Sequence, residues 1–419
     1  MAEPVRVGVI GCGRILPAHL RGLHALRDAG IDDFRVTALV ARDPADAERF
    51  RKRGEGPPPR PPVSTNPADS LAAPHRYISD FQSDIDAEVY PDVASMLESG
   101  AVDAVTITAS LPQHHQIGLA CLDAGVHVMV EKPLAVSVRA GRAMVEMAER
   151  NGLTLGVMEM VRYDPALRQA RWAIERGEIG DVQMVASVSI GAGEWSPDII
   201  VADTPWRHHK LEAGAGPALD IGVHIAHRLR YLAGEVATVS ALTRTFEPRR
   251  VRRTGAPSSV VAETVADVDD AFFALIEFAN GAAGTISFTW AGHGAPIALP
   301  GGMAIYGSRG CLHGATLIRD DGSREAVADL FDREATAAER DAATPHGVPF
   351  PFGLAYLDWL RAIRAGSQPE TSGVEGLRDL ATAFAISESA AAGESVTVDG
   401  VLAGTIDSWQ REIDAHYGL

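Results

Sequence analysis

Lys132 closes an apolar run, Val128-Met129-Val130-Glu131-Lys132-Pro133, and Asp220 and His224 stand four residues apart in Asp220-Ile221-Gly222-Val223-His224. A lysine held at the end of a buried strand can hydrogen-bond a hydroxyl or carbonyl oxygen and stabilise negative charge developing there. An imidazole is well matched to proton transfer near neutral pH, and a carboxylate one helical turn away can orient it. Ahead of both lies Gly8-Val9-Ile10-Gly11-Cys12-Gly13, a strand and a glycine turn that would let backbone approach a pyrophosphate at a helix N-terminus. Together these residues imply hydride transfer between a nicotinamide dinucleotide and an alcohol.

Gly11, Cys12, Gly13, Arg14 and Ile15 form the candidate cofactor turn, with Glu131 and Lys132 further along the chain. The third small residue of the fingerprint is absent. Leu16 stands there and predicts looser packing of helix on strand. The second strand ends Val40-Ala41-Arg42-Asp43. Ala41 occupies the place of an acid that would grip the ribose 2′-hydroxyl, and Arg42 can pair with a 2′-phosphate as a planar fork. This favours NADP. The alternative is NAD, with Asp43 serving the ribose and Arg42 a solvated turn residue.

Arg162, Trp206 and Arg207 are candidate substrate contacts, with structural packing equally open for each. His208, His209, His224 and His227, with Asp220, would make a zinc site only if three or four converged tetrahedrally. In a chain with 14 histidines such spacing arises by accident, and no metal is expected.

The elements that must position these groups alternate in the first third of the chain. Strands are predicted at Val5–Ile10, Val36–Val40, Ala104–Ile107 and His127–Val130. Helices are predicted after the glycine turn and at Ala45–Phe50, Asp92–Leu97, His115–Ala124 and Val138–Arg150. This rhythm predicts an α/β fold with a doubly wound parallel sheet over 1–152. A Pro-rich stretch from Gly56 to about Pro74 cannot propagate a helix or central strand, and reads as an insertion or mobile surface loop.

Residues 153–419 change character. After a helix near Ala166–Arg176, strands are predicted at Val182–Ile190, Val236–Thr243, Ala271–Phe278, Ala283–Trp290 and Met303–Tyr306, with Asn280-Gly281 as a hairpin turn. That is an α+β domain on a large, mostly antiparallel open sheet, closed by helices near Leu354–Ala365 and Val374–Ala391. Residues 320–347 read as an extended loop or short helix.

Composition narrows the class. The 419 residues are 46% hydrophobic and 22% charged, with a net charge of −17. That balance disfavours a nucleic-acid partner, whose phosphates call for clustered Lys and Arg. Three cysteines without a paired spacing, no leader and no membrane-spanning apolar run lead us to expect a cytoplasmic protein without a membrane partner.

The chain resembles the Gfo/Idh/MocA oxidoreductases nearly end to end. The resemblance rests on the glycine turn, Glu131-Lys132-Pro133, Arg162-Tyr163-Asp164-Pro165, Gly177-Glu178-Ile179-Gly180-Asp181 and Trp206-Arg207. It continues through the run from Gly214 to His224, Phe278-Ala279-Asn280-Gly281 and Ala385-Ile386-Ser387-Glu388-Ser389. It implies a nicotinamide-dependent enzyme acting on a sugar, cyclitol or related polyol. Lys132, Asp220 and His224 fall on the family's catalytic positions: His224 takes the hydroxyl proton, Lys132 polarises the oxygen, and Asp220 orients His224 or contacts a neighbouring hydroxyl. The family's histidine upstream of the lysine falls on His114, with His115 a close alternative, as a cofactor contact. Two departures stand out. Thr108-Ala109-Ser110-Leu111-Pro112 replaces a Thr-Pro-Asn run, and His227 replaces an aspartate, which would alter the substrate pocket. A homodimer or homotetramer is expected, because an open sheet face would expose apolar area. Two other readings use the same scaffold: a glycoside-cleaving enzyme that recycles its cofactor, and a non-catalytic NAD(P)-binding sensor.

Overall fold

The computed structural model describes residues 3–191, 204–254 and 259–419. Packing divides the chain into two units. The first comprises Met1–Ala135, Ala140–Tyr163 and Thr344–Gly376, and the second Val136–Arg139, Asp164–Ala343 and Leu377–Leu419. The single boundary expected near residue 152 is thus replaced by an interleaved division. The reason is apolar burial. The late helix Pro351–Ala365 carries Phe352, Tyr356 and Trp359 into the same core as Leu16, Leu20 and Leu23. Its fit against the helix Leu16–Asp28 is so close that a Cβ on Gly22 would lie 2.9 Å from the Gly353 nitrogen.

The first unit is built on six parallel strands: β1 (Val5–Ile10), β2 (Phe34–Val40), β3 (Glu88–Tyr90), β4 (Ala104–Ile107), β5 (His127–Glu131) and β6 (Leu155–Met158). Their order, β3-β2-β1-β4-β5-β6, is the doubly wound arrangement expected from the βαβ rhythm. β4 and β6 are buried at every position, as strands covered on both faces must be. The stretch 56–74 carries no helix or strand beyond the short 3-10 turn Ser70–Ala72, and the amides of Val63 and Ser64 bond back to the Leu71 carbonyl.

The second unit carries a nine-stranded sheet and a separate ribbon. The strands are β7 (Val182–Ile190), β8 (Val236–Arg244), β9 (Arg249–Thr254), β10 (Ser259–Val265), β11 (Ala271–Phe278), β12 (Ala283–Thr289), β13 (Ile297–Gly307), β14 (Gly310–His313), β15 (Thr316–Arg319), β16 (Arg324–Ala326) and β17 (Val396–Thr397). The large sheet runs β16-β15-β14-β13-β7-β12-β11-β8-β17, antiparallel throughout except where β7 and β12 pair in parallel, while β9 and β10 form the ribbon. Burial alternates along β11, with Phe272, Ala274 and Ile276 inward and Phe273, Leu275 and Glu277 outward. The Asn280-Gly281 turn joins β11 to β12: Gly281 has φ +88°, and the Asn280 side chain accepts from the Ala282 amide at 3.0 Å. Residues 320–347 are more ordered than sequence alone suggests. They hold β16 and the helices Val327–Glu334 and Ala337–Ala343.

Candidate active site

In the first unit, β1 ends in a turn that only glycine can make. Gly11 has φ +104°, and a Cβ there would lie 2.5 Å from the Ala109 nitrogen. The Thr108 amide donates to the Ile10 carbonyl at 2.8 Å and the Thr108 hydroxyl to the Gly11 carbonyl, so the end of β4 is stitched to the turn. Gly13 is the opposite case: a Cβ there would meet nothing within 4 Å, leaving open space over the turn. The helix Leu16–Asp28 begins at Ile15 without a side-chain cap and without an acid in its first turn. Its leading amides and the positive end of its dipole therefore suit the pyrophosphate of a dinucleotide. Leu16 is fully buried, so the missing third glycine is replaced by core packing rather than by a loose joint. Cys12 contributes backbone to this turn. Its buried thiol is pushed up to about 12 by desolvation, which keeps it an inert side chain.

At the end of β2, Ala41 is buried and Arg42 exposed. Asp43 spends one carboxylate oxygen capping the helix Pro44–Arg51, accepting from the Ala45 amide at 3.0 Å.

Lys132 follows β5 and precedes a cis peptide to Pro133. Its backbone is fixed by Glu131, whose Oε2 accepts from the Lys132 amide at 3.1 Å. Glu131 is fixed in turn by a buried line of polar groups. Its Oε1 lies 2.8 Å from His19 Nε2, His19 Nδ1 lies 2.7 Å from the Tyr356 hydroxyl, and that hydroxyl donates to Thr106 Oγ1 at 3.0 Å. His114 is a brace rather than the expected cofactor contact, because backbone carbonyls face both ring nitrogens: Pro133 at 2.9 Å from Nδ1 and Ala109 at 3.1 Å from Nε2. Burial holds its pKa below the ordinary histidine value, and His115 is lowered for the same reason. Arg162 stands on the 3-10 turn Met160–Tyr163, with a guanidinium nitrogen 3.8 Å from Glu375.

In the second unit the run from Gly214 to His224 is two elements, not the single helix expected to open at Asp220. The short helix Pro217–Asp220 ends at Asp220, and the helix Gly222–Ala233 carries His224 in its first turn. The loop before them is held by Asp269, whose two carboxylate oxygens accept from the Gly216 amide at 2.8 Å and the Ala218 amide at 3.0 Å. A Cβ on Gly216 would collide with the Asp269 carbonyl oxygen. Burial pushes the Asp269 carboxyl up to about 6 against the pull of those two amides.

Trp206, Arg207 and Asp220 form one arrangement. The Arg207 guanidinium lies 4.3 Å from the Trp206 ring centroid, and its Nε donates to Asp220 Oδ2 at 3.1 Å. His227 is buried rather than part of a pocket wall. Its Nδ1 meets Asp379 Oδ2 at 2.7 Å, while Arg230 donates to the other Asp379 oxygen at 2.6 Å. His208 is buried, and His209 Nε2 lies 3.4 Å from the Thr264 hydroxyl. Among the described residues no group of three or more His, Cys, Asp or Glu side chains could hold a metal ion.

A C-terminal segment completes this half. The Trp409 indole donates to the Gly214 carbonyl at 2.8 Å. Glu388 accepts from the amides of Trp409 at 2.7 Å and Gln410 at 3.1 Å, and Gln410 Oε1 accepts from the Val138 amide at 2.8 Å.

Sequence reasoning passed over His19, Asp269 and Trp409, and met Glu388 only within the Ala385–Ser389 run, with no role given to it. His19 had a signal: it shares the inward face of its helix with Leu16, Leu20 and Leu23, where a histidine must find partners. Asp269 and Trp409 act at long separation, and no local pattern marks them.

Residues 5–159 match the oxidoreductase family, NAD-binding Rossmann fold, and residues 167–313 match the GFO/IDH/MocA C-terminal domain. A levoglucosan dehydrogenase of Pseudarthrobacter phenanthrenivorans is 29% identical over 72% of this chain and 81% of its own length. A D-apiose dehydrogenase of Paraburkholderia graminis is 26% identical over 93% of this chain and 88% of its own. A solved levoglucosan dehydrogenase in complex with NADH and L-sorbose superposes with a TM-score of 0.70 at 23% identity, covering 95% of this chain and 99% of that one, which establishes the shared fold.

Proposed function

This chain belongs to the Gfo/Idh/MocA oxidoreductases, and from that premise we propose that it moves a hydride between NADP and a secondary alcohol of a sugar, cyclitol or related polyol. The observation that carries the reading is the uncapped glycine turn, with open space above Gly13 and a required glycine at 11. The relatives named for levoglucosan and D-apiose support a carbohydrate substrate. NADP is preferred over NAD because Ala41 offers no acid, Asp43 is engaged in capping, and Arg42 is exposed beside them.

A nicotinamide dinucleotide held at the Gly11–Gly13 turn would supply the hydride acceptor or donor for the substrate carbon. The chain's own groups manage the oxygen and its proton. The His224 imidazole takes the hydroxyl proton, and the Lys132 ammonium donates a hydrogen bond to the same oxygen as negative charge grows on it. Asp220, held by Arg207, bonds a neighbouring hydroxyl, and Trp206 and Arg162 offer further sugar contacts. Glu131 and His114 hold the backbone from which Lys132 projects.

Purified protein should show substrate-dependent absorbance in the nicotinamide band with at least one member of a sugar and cyclitol panel. Lys132→Ala and His224→Ala should each lower kcat by about 10²–10⁴. Full activity in either variant would remove that residue from the mechanism.

The outward face of the large sheet exposes Met184, Leu242, Phe273, Leu275 and Tyr306. Phe273 sits opposite Leu242 on one side of β12, and Met184 opposite Tyr306 on the other, so two apolar pairs flank that strand. A second copy of the chain covers this face in our reading, giving a homodimer or homotetramer in a reducing cytoplasm that leaves the cysteines unpaired. Light scattering should find an oligomer that Leu275→Glu dissociates.

A further inference from the structure

Hydride chemistry gives no work to the Pro-rich stretch, yet that stretch is fastened to the helix that begins where the adenosine ribose would be read. Pro44–Arg51 follows β2 through Ala41, Arg42 and Asp43. On this helix Arg49 donates to the Pro58 carbonyl, and its own carbonyl lies 3.1 Å from His75 Nε2. The His75 ring stacks on Phe50 at 4.6 Å. Both ends of the stretch are thereby tied down. Between them Arg60 stands between Pro59 and Pro61, whose rings fix the local backbone. Its guanidinium pairs with Asp46 in the first turn of the helix, and 41% of the side chain remains exposed.

This ion pair stands at the first turn of the helix that follows Arg42 and Asp43 directly. Arg42 is exposed at the end of β2, and Arg49 and Arg60 meet at Asp46 on the helix just beyond it. On this segment Asp43 caps its helix through one oxygen, and Asp46 holds Arg49, at 3.7 Å, and Arg60. A phosphate monoester carries more charge than a carboxylate and offers three acceptor oxygens, more than one guanidinium fork can fill.

We propose that Arg60, presented by the Pro-rich insertion, closes with Arg42 on the 2′-phosphate of NADP, exchanging its Asp46 partner for the phosphate. The insertion is then a specificity element: with NADP bound, Arg60 leaves Asp46, and with NAD bound the Arg60–Asp46 pair persists. The inference rests on the NADP reading above.

Nicotinamide fluorescence titrations with NADPH and with NADH, on native protein, Arg60→Ala, Arg42→Ala and Asp46→Asn, test it. Arg60→Ala should lower the NADPH-to-NADH affinity ratio about tenfold, as loss of a charge-assisted pair to phosphate would. Asp46→Asn should raise the ratio by removing the competing carboxylate. Arg60 is a partly exposed loop residue, and an unchanged melting temperature will show that the variant is folded. A native preference for NADPH that falls in Arg42→Ala but not in Arg60→Ala overturns this inference and leaves the NADP reading standing. A native preference for NADH overturns both.

Discussion

The segment that carries Lys132 in the first unit and the segment that carries Asp220 and His224 in the second are held by opposite chemistries. Around Lys132 the braces are buried imidazoles: His19 meets Glu131, and His114 lies between the carbonyls of Pro133 and Ala109 and as a neutral ring donates to one of them. Around Asp220 and His224 the braces are buried carboxylates: Asp269 gathers the amides of Gly216 and Ala218, and Glu388 gathers those of Trp409 and Gln410. A carboxylate accepts several amides at once, which suits a loop with exposed N–H groups. A neutral imidazole donates through one nitrogen only, which suits a place where a single carbonyl at a strand end must be tied.

The largest break in this comparison comes at its glycines. Gly11→Ala and Gly216→Ala each place a Cβ against backbone that cannot move aside, at a cost of about 3 kcal/mol or more from overpacking and strain. The first should abolish cofactor binding. The second should leave cofactor binding measurable by fluorescence while turnover falls by about 10² or more. Equal loss of both properties in both variants would show that the two segments are not separately braced. Gly13→Ala should be milder and more selective. With open space at that Cβ the melting temperature should hold, while cofactor affinity falls as the methyl takes the room a pyrophosphate needs.

The two braces also respond to pH with opposite sign. His114 has a folded pKa below its ordinary value of 6.5. Its contribution is therefore full above that value and is lost as pH falls, because the unfolded chain takes up the proton first. Asp269 has a folded pKa of about 6 against 3.8 when unfolded. The folded state binds its proton first, so stability rises as pH falls from 6 to 4, by about 3 kcal/mol for this one group. Hydrogen exchange at pH 7 and pH 5, corrected for intrinsic rates, should show β5 losing protection relative to β11. Asp269→Asn should remove the gain at β11, and the same trend in native and variant protein would assign it elsewhere. The smallest effect is expected from Trp409→Phe, which removes one hydrogen bond to the Gly214 carbonyl, worth about 1 kcal/mol. A rise in substrate KM at unchanged cofactor affinity would mark it as a positioning residue.

The first sheet was legible because strands buried on both faces are written as unbroken apolar runs between glycine and helix signals. Val5–Ile10 and Ala104–Ile107 are predicted at the bounds observed. In the second sheet the long alternating strands were equally plain, while β14 to β17 are too short to show a period and the β9–β10 ribbon carries mixed charge. The lysine motif, the glycine turn and the Asp220 and His224 pair were visible because each is local. Their supports were not, since Asp269, Glu388 and Trp409 reach their partners across 53, 22 and 195 residues. The family resemblance put His114 at a cofactor contact and made His227 a change to the substrate pocket, and the structure finds both buried, against backbone carbonyls and against Asp379.

The clasp that Trp409 and Gln410 make on Gly214 and Val138 has a consequence in time. During synthesis the ribosome emits every strand of both sheets before it emits the residues that close this clasp. A nascent chain halted before 409 should therefore acquire its sheets and bind cofactor, yet lack an ordered Gly214 loop. Such a chain would not turn over substrate, so competence waits on the residues that close this clasp.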